Sequence, residues 1–283
     1  MFVILGATGN VGSHVGRALT EADQPIIAVT HSAAKAEDLR APNIEPAVID
    51  VKDIEALRSV LKRGKRAFLL NPPADPSGDT NAEELTTVRS ITQALDGTGL
   101  DKIVVGSTYG AQEGDTIGDL SVLYEFEQRA KASGIPTAIN RGAYYFTNLD
   151  MLLEPATQGI LPTAFPASMR IPMVAPADLG EAAAVRLLSS VEDVGIRYVE
   201  GPEFYSFSDV AAAFGNALGR DVEVATTPRA KIEESFMAVG FSPEAARSYA
   251  RMTEATIDAP EMPKDPWRGK VSLEQYISGL AAA

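Results

Sequence analysis

A short apolar run, FVIL, enters the glycine-rich turn GATGNVG at residues 6–12, and a segment with helical spacing, VGSHVGRALTEAD, leaves it. No other feature restricts the fold as much. In a strand–turn–helix setting, Gly6 permits the tight turn, Gly9 lets the main chain approach a pyrophosphate, and Gly12 lets the helix pack closely on the strand. The free N–H groups and the dipole of the helix then face the phosphates. Glycines punctuate many turns, so it is the context, a strand before and a helix after, that makes this a dinucleotide cradle.

The following segments extend the pattern. PIIAVT, PAVIDV, RAFLLN, KIVVGS and PTAINRG read as strands, and IEALRSVLKRG, NAEELTTVRSITQALDGTG and LYEFEQRAKASG read as helices among them. Short apolar strands alternating with helices predict an α/β fold, a Rossmann doubly wound parallel sheet with helices on both faces. The NAD(P)-binding domain is expected over residues 1–150. From about Tyr144 the pattern loosens and prolines crowd the chain. ADLGEAAAVRLLSS, SFSDVAAAFGNALG, IEESFMAVG and SPEAARSYARMTEAT then read as helices, with Asp178 capping the first and Ser206 or Ser208 the second. Residues 151–283 are therefore expected to form a smaller, mostly helical substrate lobe, with some segments returning to the first domain.

Composition narrows the chemistry. A formal charge of −13 argues against binding driven by nucleic-acid phosphates. The chain has no cysteine and only two histidines, His14 and His31, which excludes thiolate chemistry and a multi-histidine metal centre. No apolar run approaches the length of a membrane span, and a cytoplasmic protein is the expectation.

The second strand bears on the choice of dinucleotide. A site for NAD(H) usually has an acidic residue about 20 residues beyond the loop, on the ribose 2′-hydroxyl. Here Thr30, His31 and Ser32 stand at the strand end, with Lys35 a helical turn further and no carboxylate among them. Hydroxyl, imidazole and ammonium suit a 2′-phosphate, so NADP(H) is favoured, with NAD(H) as the alternative. Asp50, closing PAVIDV, is placed either to meet the adenine or to cap the next helix.

GATGNVG, IIAVTHSAAKA, EFEQRAKASGIPTAINRGAYYFTNL, APADLGEAAA, EGPEFYSFSDVAAAFGNALGRDVEV and RGKVSLEQYI together resemble the NmrA-like branch of the atypical short-chain dehydrogenases. Within that branch the pattern looks like the NADPH-dependent quinone oxidoreductase and triphenylmethane reductase type. The resemblance implies that Gly6, Thr8, Gly9, Asn10 and Val11 touch the pyrophosphate. It places Asn71, Pro72 and Pro73 by the ribose and nicotinamide, and Ser107, Thr108 and Tyr109 on the floor of the active site. Relatives commonly carry Arg where this chain has His31, so a planar bidentate phosphate clamp is missing, while Lys35 matches a family lysine.

Ordinary short-chain dehydrogenases place Tyr and Lys four residues apart on one helix face, where the ammonium lowers the phenol's pKa. In LYEFEQRAKASG the residue four beyond Tyr124 is Gln128. A quinone, cationic dye or azo compound needs no such pair, since it accepts hydride directly and takes its proton from solvent, in an apolar pocket beside the nicotinamide. Tyr109, Tyr144, Tyr145 and Phe146 are the expected walls, Phe165 and Met169 the cover, and Tyr109 the candidate proton donor. The expected partner is thus a small-molecule substrate. The alternative is a non-catalytic NAD(P) sensor acting through a regulatory protein partner, and a homodimer also stays open.

Overall fold

The computed structural model describes residues 1–39 and 41–282. Six strands of the first half are β1 (Phe2–Ile4), β2 (Ile26–Thr30), β3 (Ile44–Val48), β4 (Arg66–Leu69), β5 (Lys102–Thr108) and β6 (Thr137–Gly142). Between them lie α1 (Gly12–Glu21), α2 (Ala33–Asp38), α3 (Ile54–Leu61), α4 (Thr80–Ala94) and α5 (Asp119–Ala132). The second half contributes strands β7 (Tyr144–Tyr145), β8 (Ile160–Thr163), β9 (Ile171–Val174), β10 (Gly195–Glu200), β11 (Phe204–Tyr205), β12 (Glu223–Thr226) and β13 (Trp267–Arg268). Its helices are α6 (Leu153–Thr157), α7 (Pro176–Leu188), α8 (Phe207–Leu218), α9 (Ile232–Ala238), α10 (Pro243–Asp258) and α11 (Leu273–Ala282).

The main sheet has eight strands in the order β13-β10-β6-β5-β4-β1-β2-β3. Every pairing in it is parallel. This is the Rossmann-like layout that the alternating pattern predicts. Strand order reverses between β1 and β4, and ligands of open α/β sheets bind at such a switch point. The twofold alternation of β1 decides its burial. Val3 and Leu5 join a core under α3, α4 and α5, with Leu57, Val88, Ile91, Val122 and Phe126. Ile4 faces the opposite core, under α1 and α7, with Val15, Leu19, Leu179 and Leu187.

Edge strand β3 starts two residues earlier than PAVIDV suggests, because its register is set by β2, from Ile26 opposite Ile44 to Thr30 opposite Val48. Asp50 then closes a turn by accepting the Lys52 N–H at 2.9 Å, and Asp53 caps α3 instead. Asp178 also departs from expectation. Ala175 is the N-cap residue of α7, and Asp178, 2% exposed, accepts the N–H groups of Lys270 and Val271 at 3.0 and 3.1 Å. It ties the C-terminal stretch to the sheet rather than capping its own helix. Ser206 caps α8 as expected, in a reciprocal arrangement with Asp209.

A third core, built on Phe146, Leu161, Met173, Phe207, Phe214 and Ile277, holds the second half together. Two small sheets, β11-β9-β7 and β12-β8, run among the helices of this lobe. Its chain returns to the main sheet as β10 and β13. Helix α10 also reaches back, with the Ser242 N–H on the Pro76 carbonyl and the Ser242 hydroxyl on that of Gly78. Among the described residues no helix is long and apolar enough to cross a membrane.

Helices α1 and α7 meet so closely at Gly180 that a Cβ there would lie 2.4 Å from the Cβ of His14 and 2.8 Å from its carbonyl carbon. Backbone cannot give way as a flexible side chain can, so Gly180→Ala is expected to destabilise the fold by ~1–3 kcal/mol. Urea denaturation would show this as a lower midpoint at unchanged slope.

Candidate active site

The cradle is as tight as its glycines suggest. Gly6 has φ +66°, and the Gly9 N–H donates to the Gly6 carbonyl at 2.8 Å. A Cβ on Gly12 would stand 2.2 Å from that same carbonyl oxygen, so only glycine lets α1 begin there. No side chain caps α1, which leaves its N-terminal N–H groups directed at the turn. Thr8 and Thr30 share a hydroxyl hydrogen bond of 3.0 Å that couples the turn to the end of β2. Ser32 caps α2 by accepting the Lys35 N–H at 3.3 Å, and His31 and Lys35 are exposed at the rim. Asn10 is exposed and Val11 buried.

At the end of β4, the side-chain oxygen of Asn71 is buried and has no hydrogen-bond partner among the described residues. Buried polar atoms are seldom left so. Pro72 and Pro73 follow it, exposed. The orphaned oxygen and the cradle that a Cβ would fill lie at the ends of adjacent strands β4 and β1, on the two sides of the switch point. Those residues fit a dinucleotide.

The ends of β5 and β6 carry a buried ion-pair network. Glu127 of α5 is wholly buried and receives the Ser107 hydroxyl at 2.6 Å and Arg141 Nε and Nη2 at 2.8 and 2.9 Å. Ser107 is thus committed to Glu127. The hydroxyl of Tyr109 donates to Glu200 at 2.9 Å, and its ring stands edge-on to Tyr198, 5.1 Å between centroids. Burial, then the hydrogen bond to Glu200, push the Tyr109 phenol far above its usual range. Glu200 also pairs with Arg268 at 2.9 Å.

Tyr109 and Tyr144 line a cleft above these strands, together with Gly110, Ile171, Pro260 and Glu261. Burial pushes the Tyr144 phenol up to about 12. Its ring meets Phe165 and Phe207 edge-on, 5.7 and 6.0 Å away. The other two expected walls lie elsewhere. Phe146 is 0% exposed in the third core against Tyr205 and Tyr276, because the chain turns into a 3-10 helix there and carries it inward. Tyr145 packs against Gly142 and the core beneath α7. Phe165 is stacked on Phe207 at 5.2 Å behind Tyr144, and Met169 packs on the same core.

Sequence reading passed over several groups at this end of the sheet. Glu127, Tyr198, Glu200 and Glu261 carry no local motif, and only the fold gathers them. A further pair, Glu84 on α4 and Asp119 at the start of α5, shares a hydrogen bond, and Glu84 also accepts the Ala74 N–H at 3.0 Å. Burial and the Asp119 charge push Glu84 up to about 8 from its ordinary 4.5, and burial pushes Asp119 up as well.

A parallel sheet with a glycine cradle and an orphaned amide oxygen at its switch point defines a Rossmann-type protein with a dinucleotide-shaped site. The chain belongs to the NmrA-like family, whose model matches residues 1–277. It is 23% identical over 243 residues to an NAD(P)H azoreductase of Xenophilus azovorans, covering 85% of this chain and 82% of that one. Its fold matches that of the triphenylmethane reductase of Citrobacter sp. complexed with NADP(H), at TM-score 0.82 and 19% identity, covering 99% of this chain and 100% of the other. It also matches an Escherichia coli NADPH-dependent quinone oxidoreductase complexed with NADPH, at TM-score 0.81 and 22% identity, with 99% of each chain covered.

The Glu84–Asp119 pair has a consequence for stability. Between pH 4.5 and about 8 the folded protein holds a proton on Glu84 that the unfolded chain has released. Stability therefore falls as pH rises through that window. Glu84→Gln, which keeps an acceptor for the Ala74 N–H, is expected to flatten the decline, as measured by denaturant unfolding between pH 5 and 8.5.

Proposed function

We propose that this protein is an NADPH-dependent reductase of quinone-like or other electron-poor aromatic compounds, working without a Tyr-x-x-x-Lys pair. The observation that carries the reading is the buried, unpartnered Asn71 oxygen beside the Gly6–Gly12 cradle. The names of the azoreductase, triphenylmethane reductase and quinone oxidoreductase relatives support the same class of chemistry.

Gly6, Thr8, Gly9, Asn10, Val11 and Gly12 would hold the pyrophosphate through main-chain N–H groups and the start of α1. His31, Ser32 and Lys35 would meet a 2′-phosphate at the rim, and Asn71, Pro72, Pro73 and Ser107 would flank the nicotinamide ribose. A bound dihydronicotinamide supplies hydride. Tyr109 and Tyr144 contribute aromatic faces that orient a flat acceptor and exclude water from one side. Residues 1–150 act as the cofactor domain and the remainder as the substrate lobe, in a cytoplasmic protein.

The proton on Tyr109 points at Glu200, and releasing it toward a substrate would leave a phenolate against a carboxylate. The proton of the reduced product is therefore assigned to water, and Tyr109 acts through its ring. Tyr109→Phe is expected to keep turnover within about threefold of wild type, where loss of a general acid would cost 10²-fold or more. Steady-state kinetics with a quinone at saturating NADPH separates the two.

Steady-state oxidation of NADPH and of NADH with a panel of quinones, azo compounds and cationic dyes tests the reading as a whole. Turnover that favours NADPH is the expected result, and His31→Asp is expected to shift the ratio toward NADH. Tight NADPH binding with no turnover on any acceptor would replace the reductase by a non-catalytic sensor.

A further inference from the structure

Residues 259–266, APEMPKDP, run from the end of α10 to β13 without helix or strand, and Ala259, Pro260 and Glu261 form one side of the cleft. Both ends of this strap are fastened. At one end Arg229 grips Asp258 with two hydrogen bonds of 2.7 Å. At the other the Gly269 N–H donates to the Glu200 carbonyl at 2.7 Å, and Asp178 holds the next two N–H groups. Within residues 259–266, Glu261 is the one side chain among the described residues that makes a hydrogen bond or ion pair.

Its contacts are directed. Oε2 accepts the Gly110 N–H at 2.7 Å, and Oε1 accepts the Tyr198 hydroxyl at 2.5 Å and Arg141 Nη1 at 3.3 Å. Arg141 is 7% exposed, and its other two nitrogens are occupied by Glu127. Nη1 is therefore the nitrogen left for Glu261, with the Tyr198 hydroxyl 3.5 Å away. Beside Glu261 the cleft holds about 50 Å³ of free space. A cavity of about 150 Å³ is what a benzene ring occupies in a protein interior. The enclosed part of the cleft is therefore smaller than a benzene ring requires while Glu261 stands beside it.

We propose that the Gly110 N–H, the Tyr198 hydroxyl and Arg141 Nη1 form an oxyanion site for the carboxylate or sulfonate of an aromatic ligand, with Glu261 as a tethered stand-in that the ligand displaces. Withdrawing Glu261 alone would take an acceptor from three part-buried donors, leaving Arg141 Nη1 only the Tyr198 hydroxyl at 3.5 Å, which is unfavourable. A carboxylate or sulfonate presents at least two oxygens to the same donors. A neutral ligand of the same shape does so without the charge that strengthens such hydrogen bonds. The strap then opens only when something of matching chemistry takes its place, and the vacated volume adjoins Tyr109 and Tyr144. The inference rests on the reductase reading for what else the ligand does, but the exchange of anions requires no turnover.

The test uses the full chain without NADPH. Ligand-observed NMR titrations with benzenesulfonate and with its neutral analogue methyl phenyl sulfone give the two dissociation constants. A tethered carboxylate competes at a high effective concentration, so Glu261→Ala is expected to bind benzenesulfonate about tenfold more tightly than wild type. The sulfone should gain clearly less than the sulfonate, and Glu261→Gln, whose amide still offers an acceptor, should gain less than Glu261→Ala. Adding Tyr198→Phe to Glu261→Ala should reverse most of the gain. Equal sulfonate binding in wild type and Glu261→Ala, an equal gain for the sulfone, or no binding in either protein would overturn the proposal. Sulfonate binding as expected, in a protein that oxidises no NADPH with any acceptor, would keep the oxyanion site and discard the reductase.

Discussion

The buried Glu127 carboxylate is the constraint on which this site depends. A charge without access to water is strongly unfavourable unless paired and fully hydrogen-bonded. Here Ser107 from β5 and Arg141 from β6 meet that requirement with three donors. The bonds fix α5 against two strands at their functional ends. They also fix the direction of the remaining Arg141 nitrogen, toward Tyr198 and Glu261. Arginine is the only side chain that offers a bidentate face to one partner and a further donor to another. Breaking the pair would strand a carboxylate in the core and release the floor of the cleft.

Close backbone approach plays the matching role at the other end of the site. Gly12 against the Gly6 carbonyl brings α1 to the end of β1, and Gly180 against His14 brings α7 to α1. These contacts let the helices cover the sheet closely enough to bury Ile4, Val15 and Leu187 completely. At the end of β6 the chain turns outward and then in again, so that Tyr144 reaches the cleft while Phe146 enters a different core. A single aromatic triplet thus supplies both a wall and an interior.

What the sequence made legible was local. The cradle, the six strands of the first half and the Ser206 cap each depend on residues within a few positions of one another. The apolar run PAVIDV misplaces β3 by two residues because its register belongs to β2, a neighbour in space. Asp178 looks like a cap because it opens a helix, yet its partners lie 92 and 93 residues further on. The aromatic run Tyr144–Phe146 carries no mark of which ring turns inward. Glu261 meets Gly110 across 151 residues, and nothing in APEMPKDP distinguishes that glutamate from a solvated one. The glycine cradle is written in a motif, and the cleft exists only once the chain has folded.

The route of the chain through the main sheet bears on how the protein is made. Six of its eight strands come from the first 142 residues, but β10 and β13 arrive only with residues 195–200 and 267–268. Until then β6 is an open edge, and Arg186, which later bonds to the Ile139 and Gly195 carbonyls, has only half of its partners. A chain emerging from the ribosome therefore completes the six strands around the glycine cradle early and carries a sticky sheet margin until β10 is made. The segment that completes the sheet with β13 is also the one that brings the strap over the cleft, so closure of the sheet and closure of the cleft fall together.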